Sequence, residues 1–232
     1  ACTNQGISAQ IIRWNCSEEE FNSYSAYILP GGFSYQDRVR CGVIAANLPI
    51  IDYLRKADQA NKLILGICNG CQILAETGLI PNAKGSDSRE VALTPNQLNN
   101  EQIGHICDWI YVKATQPQAN RFLAAFDTTT PLPIPVNHGM GRFIFADETV
   151  IKNYPTLVYC TSEGTIETDF PTNPNGTQSN IAGIGNQKGN VFAMMPHPER
   201  AVETKQIPSW IESNTTSTGP WAPLFAALKD LS

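Results

Sequence analysis

Cys68 has the neighbours that a reactive side chain needs. It stands in Gly66-Ile67-Cys68-Asn69-Gly70, a G-x-C-x-G. This is the cysteine counterpart of the G-x-S-x-G elbow, which lifts a nucleophile onto a sharp turn between a strand and a helix. The turn is strained, and glycines on both sides let the chain crowd there without Cβ clashes. A helix N-terminus beside the sulfur favours thiolate over thiol, by about 1.4 kcal/mol for each unit of pKa lowering. One rival reading is a buried structural cysteine in the same turn. Another is Cys68-Asn-Gly-Cys71 as a C-x-x-C redox pair. A redox pair does not need Gly66 and Gly70, and an elbow does, so the elbow is preferred. Cys71 lies one helical turn on, a spacing within disulfide reach, so peroxide is expected to link the two thiols reversibly.

A cysteine nucleophile needs a base, and the chain holds three histidines, His105, His138 and His197. His197 follows an apolar run, with Glu199 two residues on and Pro198 fixing the backbone between them. That pair could supply the base and the group that orients it; the bland alternative is a surface His-Pro-Glu turn. His138 lies in Asn137-His-Gly-Met-Gly-Arg-Phe143, where two glycines suit close approach of backbone to a ligand. His105 has polar neighbours and reads as solvated. Pro30-Gly31-Gly32-Phe33 follows another apolar run, and its N–H groups suit an anion or oxyanion.

The elements that must position these residues alternate between strand and helix. Leu63 to Ile67 reads as a strand buried on both faces, and residues 72–77 as a helix ending at Gly78. Upstream, Ser8 to Trp14 reads as a strand, Ser17 as the cap of a helix, and Ala26 to Leu29 as a buried strand. Val39 to Ala60 reads as a helix kinked at Pro49. Downstream the pattern turns strand-rich: Glu90 to Leu93, Trp109 to Val112, Ile134 to Val136, Phe143 to Phe145, Leu157 to Tyr159 and Val191 to Met195. One short helix is expected over Asn120 to Phe126 and a closing one over Ala222 to Leu231. The β-α-β alternation predicts an α/β fold built on a parallel sheet, with a strand-rich second half and residues 1–232 as one domain.

Composition excludes several classes. A net charge of −5 gives no basic surface for nucleic acid. No apolar run reaches membrane-spanning length. Seven cysteines, an odd number with only one C-x-x-C, fit a reducing cytoplasm better than a disulfide framework or a zinc site, so no metal is expected.

G-I-C-N-G-C-Q followed by a late M-P-H-P-E-R resembles the class I, or triad, glutamine amidotransferases. The fuller set L-P-G-G-F-S-Y, N-H-G-M-G-R-F, N-P-N-G and M-M-P-H-P-E-R is similar to the glutaminase branch that serves phosphoribosylformylglycinamidine synthesis, a purine pathway. The resemblance implies an α/β three-layer sandwich with a mostly parallel central sheet, flavodoxin-like. It also implies that Cys68 forms a γ-glutamyl thioester, with His197 as acid and base and Glu199 as its orienter. It implies an oxyanion hole from the backbone N–H groups of Gly32 and Asn69, and glutamine contacts from Gln72, Asn137, Gly139 and Met140. Ammonia would pass to a formylglycinamidine ribonucleotide synthetase subunit or domain, with a small accessory subunit as a further partner. ATP and magnesium would act on that partner, with no cofactor in this chain. The alternatives are the glutaminase of another triad amidotransferase, a redox module, or a catalytically silent module of a fused synthetase. Two departures stand out. Met140 occupies a position where the branch commonly has an acid. The branch's opening strand and its F-P-G-T-N-C-like turn are also missing, so the first strand is expected upstream of residue 1.

Overall fold

The computed structural model describes residues 1–85, 88–99, 101–211 and 218–229. Its chain runs α1 (Glu18–Asn22), β1 (Ala26–Leu29), α2 (Ile50–Gln59), β2 (Leu63–Ile67), α3 (Asn69–Thr77), β3 (Val91–Thr94), β4 (Gln97–Leu98), β5 (Glu101–Gln102) and β6 (Ile106–Thr115). It continues through β7 (Leu132–His138), β8 (Arg142–Phe145), β9 (Thr156–Cys160), β10 (Ile181–Gly185), β11 (Val191–Met194) and α4 (Ala222–Ala226). The fold is α/β, with helices flanking a seven-stranded sheet in the order β1-β2-β11-β10-β9-β6-β7.

The sheet is mixed. The parallel part implied by the β-α-β alternation is β1-β2-β11, with Ala26 opposite Leu63 and Val191 opposite Ile64. The strand-rich second half extends it by four antiparallel pairings, β11 with β10, β10 with β9, β9 with β6, and β6 with β7. β2 is buried along its whole length, as its unbroken apolar run requires. A second, two-stranded sheet, β3 with β8, packs beside α3. The sheet also curls. The His197 N–H, just past β11, donates to the Pro135 carbonyl of β7 at 2.9 Å, although β7 lies at the far end of the strand order. The end of β7 therefore lies over the middle of the sheet, where β2 ends.

Several expected elements take another form. Residues 8–14 join no strand, and Ile11 is 95% exposed. Residues 8–12 and Trp14 line a groove of about 790 Å³ beside β1, which has no second ladder partner among the described residues. The helix expected from Val39 begins only at Ile50, directly after Pro49. Gly42 breaks the earlier part, at φ 78° and pressed against the backbone of Ile73, and proline suits a helix start better than an interior. Residues 120–126 form turns instead of a helix. The Asn120 side chain explains this, because its Oδ1 accepts from Phe122 N at 3.0 Å and its Nδ2 donates to Val191 O at 3.0 Å. Ser17 does cap α1, accepting from Glu20 N at 3.1 Å. The closing helix is described over Ala222–Ala226, and residues 230–231 of the expected span lie outside the described residues. Among the described residues no helix is long and apolar enough to cross a membrane.

Candidate active site

The elbow forms where the residues require it. Cys68 stands between β2 and α3 at φ 51° and ψ −105°, a conformation that costs a non-glycine residue on the order of 1–3 kcal/mol. Packing on both sides holds the strain. A Cβ on Gly70 would sit 1.9 Å from the Leu29 carbonyl oxygen, and one on Gly66 would sit 2.8 Å from that of Gly70. No side chain fits at either position. α3 starts at Asn69, so the first N–H groups after Cys68 have no partner within the helix.

His197 and Glu199 come to the same place from the end of β11. His197 Nδ1 donates to Glu199 Oε1 at 2.7 Å. The other ring nitrogen, Nε2, is buried and has no aligned hydrogen-bond partner. Burial pushes the imidazolium down, but its interactions with Cys68 and Glu199 outweigh that and hold His197 at about 9. Nε2 is thus left without a bonded partner in the resting site, as is common for catalytic hydrogen bonds before substrate binds. Gly31 lies against both groups, because a Cβ there would be 2.9 Å from His197 Cε1 and 3.4 Å from Cys68 Cβ. Gly32, the residue expected in the oxyanion hole, adopts φ 150°, where an L side chain is strained.

The far wall is the segment from Asn137 to Gly141. Cys68 Sγ lies 3.8 Å from the Asn137 carbonyl. Gly139 O accepts from Asn96 N at 3.0 Å. The Met140 carbonyl accepts from Gln72 Nε2 at 2.7 Å, and its sulfur receives the Cys41 thiol at 3.2 Å. Burial and the neighbouring Asp37 push the Cys41 thiol up to about 12. Asn69 follows Cys68 in the chain and Asn137 lies against its sulfur, while Gln72, at 2.9 Å from Asn69 and 2.7 Å from the Met140 carbonyl, ties the start of α3 to the segment that carries Asn137, Gly139 and Met140.

Two sequence readings are corrected. His105 is exposed but not merely solvated, since its Nε2 donates to Asn137 Oδ1 at 2.5 Å. Cys71 is fully buried in the core and its thiol is held well above its usual value, by burial first and then by Cys68. It is therefore closed to solvent and held as the neutral thiol, the weaker nucleophile, which disfavours it as the resolving partner of a redox pair. His138 is also buried, and it is pushed down to about 3 by burial and then by repulsion from His197 and His105, so it stays neutral. Its role is to hold the wall. Asn96 Oδ1 faces His138 Nδ1 at 3.2 Å and Gly141 N at 3.0 Å. Sequence reading missed Asn96 and Cys41, and it named Gly31 only as part of the turn, not as a contact of His197. Only Gly31 had a local signal, as the first glycine of the Gly-Gly pair.

A strand–elbow–helix with a cysteine on the turn and a His–Glu pair on the adjoining strand end defines the triad class of amide-hydrolysing α/β proteins. The family model described as the CobB/CobQ-like glutamine amidotransferase domain matches residues 1–230, and the chain belongs to that family. Among curated proteins it is 37% identical to phosphoribosylformylglycinamidine synthase subunit PurQ of Methanothrix thermoacetophila, over 97% of this chain and 88% of that one. It is 38% identical to the PurQ subunit of Synechocystis, over 88% and 86% of the two chains. Among solved structures it is similar to a chain of PurLQS from Thermotoga maritima, with TM-score 0.66, 33% identity and coverage of 90% and 81%. The glutaminase domain of Trypanosoma brucei CTPS shares the fold at TM-score 0.52 and 12% identity, covering 92% of this chain and 73% of that one.

Proposed function

We propose that the chain is the glutaminase subunit of phosphoribosylformylglycinamidine synthase, hydrolysing glutamine and handing the ammonia to its synthetase for purine synthesis. The observation that carries this is Cys68 on its strained turn beside a His197–Glu199 pair bonded at 2.7 Å, in a chain 37% identical to a PurQ subunit.

The Cys68 thiolate attacks the side-chain amide carbon of glutamine, and the oxyanion is held by the N–H groups of Asn69 and Gly32. His197, protonated and oriented by Glu199, gives its proton to the leaving nitrogen. The C–N bond breaks, ammonia departs and a γ-glutamyl thioester remains on the sulfur. Water then attacks the thioester carbon while neutral His197 takes its proton. The C–S bond breaks, releasing glutamate and restoring the thiolate and the imidazolium. The 72, 137, 139 and 140 positions form the walls that receive glutamine. This chain's own chemistry calls for no cofactor; ATP and magnesium act on the formylglycinamidine ribonucleotide synthetase, and a small accessory subunit completes the assembly. A reducing cytoplasm suits seven cysteines that are all free.

The test is product formation by the reconstituted complex with glutamine or with ammonium as nitrogen donor. Cys68→Ala is expected to abolish glutamine-dependent synthesis and leave ammonium-dependent synthesis intact. Retained glutamine-dependent turnover would remove Cys68 from the reaction and the proposal with it.

A further inference from the structure

Three side-chain and main-chain bonds cross the floor of the site in one line. The Ser34 N–H donates to Asn69 Oδ1 at 3.2 Å, Asn69 Nδ2 to Gln72 Oε1 at 2.9 Å, and Gln72 Nε2 to the Met140 carbonyl at 2.7 Å. Both amides are buried, Asn69 at 3% and Gln72 at 5% exposure. Their direction is fixed by the backbone at each end. A main-chain N–H can only donate, so Asn69 must present its oxygen to Ser34 and its nitrogen to Gln72. Gln72 must then present its oxygen to Asn69 and its nitrogen to Met140, which offers only a carbonyl. Flipping either amide would set donor against donor. Aligned amides of this kind polarise one another in a low-dielectric setting.

The two ends of the line are the two halves of the site. Ser34 follows Gly31-Gly32, the turn that touches His197 and Cys68. Met140 belongs to the wall whose Asn137 carbonyl lies 3.8 Å from Cys68 Sγ. The Ser34 side is also the part least held by its own backbone preferences: Tyr35, Gln36, Asp37 and Val39 all take positive φ between 53° and 69°. A turn built this way needs an external tie.

Taking the glutaminase reading as given, we infer that Asn69 and Gln72 act together as positioning residues, a hydrogen-bonded relay that sets the oxyanion turn by the state of the glutamine-binding wall. The Gln72 side-chain amide bonds to Asn69 and the wall, and the Asn69 side-chain amide to Gln72 and the turn. A relay therefore makes two crossed predictions. Removing the Gln72 amide lowers kcat even though it does not contact the turn, and removing the Asn69 amide raises KM even though it does not contact the wall.

The experiment is a double-mutant cycle on glutamine-dependent turnover by the full complex, with Asn69→Ala, Gln72→Ala and the double variant. Each single change is expected to lower kcat/KM by about 10- to 100-fold, the scale of a sub-ångström to 1 Å misplacement. The double is expected to be no worse than the poorer single, because one broken link already severs the line. Alkylation of Cys68 by iodoacetamide should stay within about twofold of wild type, since the nucleophile keeps its elbow; a generally loosened fold would change that rate as well. Asn69→Leu and Gln72→Met, which keep the buried volume, repeat the cycle in case the alanine variants fold poorly. Losses that multiply in the double variant, or a Gln72 change confined to KM, would overturn the relay while leaving the glutaminase reading standing. A wild-type complex without glutamine-dependent turnover would sink the glutaminase reading itself.

Discussion

Gly31→Ala tests the site with a single methyl group. Gly31 is exposed and its φ lies outside the left-handed region, so its backbone accepts alanine without strain. The difficulty lies in what the methyl meets: His197 Cε1 at 2.9 Å, Cys68 Cβ at 3.4 Å and His197 Nδ1 at 3.6 Å. Carbon–carbon contacts are comfortable at roughly 3.5–4.0 Å, so either the imidazole or the turn must retreat by about 0.5–1 Å. If the imidazole moves, it leaves Cys68, and a misplacement of about 1 Å costs roughly 100-fold in rate. If the turn moves, Gly32 leaves the oxyanion, and losing one such donor costs about 100- to 1000-fold. Both routes converge on a kcat about 100-fold lower, which is about 2.7 kcal/mol in activation free energy at 1.36 kcal/mol per tenfold. KM should change little, because the wall from Asn137 to Gly141 is untouched. Steady-state glutamine hydrolysis by the complex measures both constants, and a thermal melt should show an unchanged midpoint for this surface position. A kcat within threefold of wild type would refute the arrangement of Gly31, Cys68 and His197 described here.

The pH dependence of kcat/KM should fall on the alkaline side near 9 in the wild type, as His197 loses the proton that the leaving nitrogen needs. Glu199→Gln removes one of the interactions that raise His197, so the limb should move toward lower pH; a limb that stays in place would detach Glu199 from His197. Peroxide should inactivate wild type and Cys71→Ala alike, because Cys71 is fully buried with its thiol held in the neutral form. A 68–71 disulfide in peptide maps of the treated wild type would show that Cys71 resolves the oxidised Cys68 despite its burial.

What could be read in the sequence was chemistry set by local spacing. The elbow is five consecutive residues, the His–Glu pair is two apart, and the Gly-Gly turn directly follows a strand. Each needs only its own neighbours to take shape. The opposite wall is different. Asn137 reaches Cys68 because the sheet curls until β7 meets the segment after β11, and the curl comes from antiparallel pairings that no short window encodes. β10 was missed for a related reason, since Ile181-Ala-Gly-Ile-Gly185 carries two glycines where strand composition calls for bulk. Those glycines answer to the third dimension. A Cβ on Gly183 would lie 2.8 Å from the Ala193 carbonyl oxygen, and one on Gly185 2.6 Å from Asn120 Nδ2. Asn96, which holds the wall through His138 and Gly141, lies 42 and 45 residues from its partners.

Met140 shows how position and side chain can part company. Its carbonyl is the far end of the line that begins at Ser34, and any residue could supply that carbonyl. Its side chain packs against the Cys41 thiol, which burial and Asp37 already hold in the neutral form. A carboxylate in place of the Met140 thioether would share that partly dry pocket with Asp37, where desolvation and like charge both oppose a second anion. A polarisable, uncharged side chain fills the same space without that cost and accepts the thiol weakly. Cys41, Asp37 and Met140 are thus one consistent set. The acid common at this position in the resembling branch would be out of keeping with the other two, so exchanging Met140 alone for an acid would not reproduce the environment in which that acid works elsewhere.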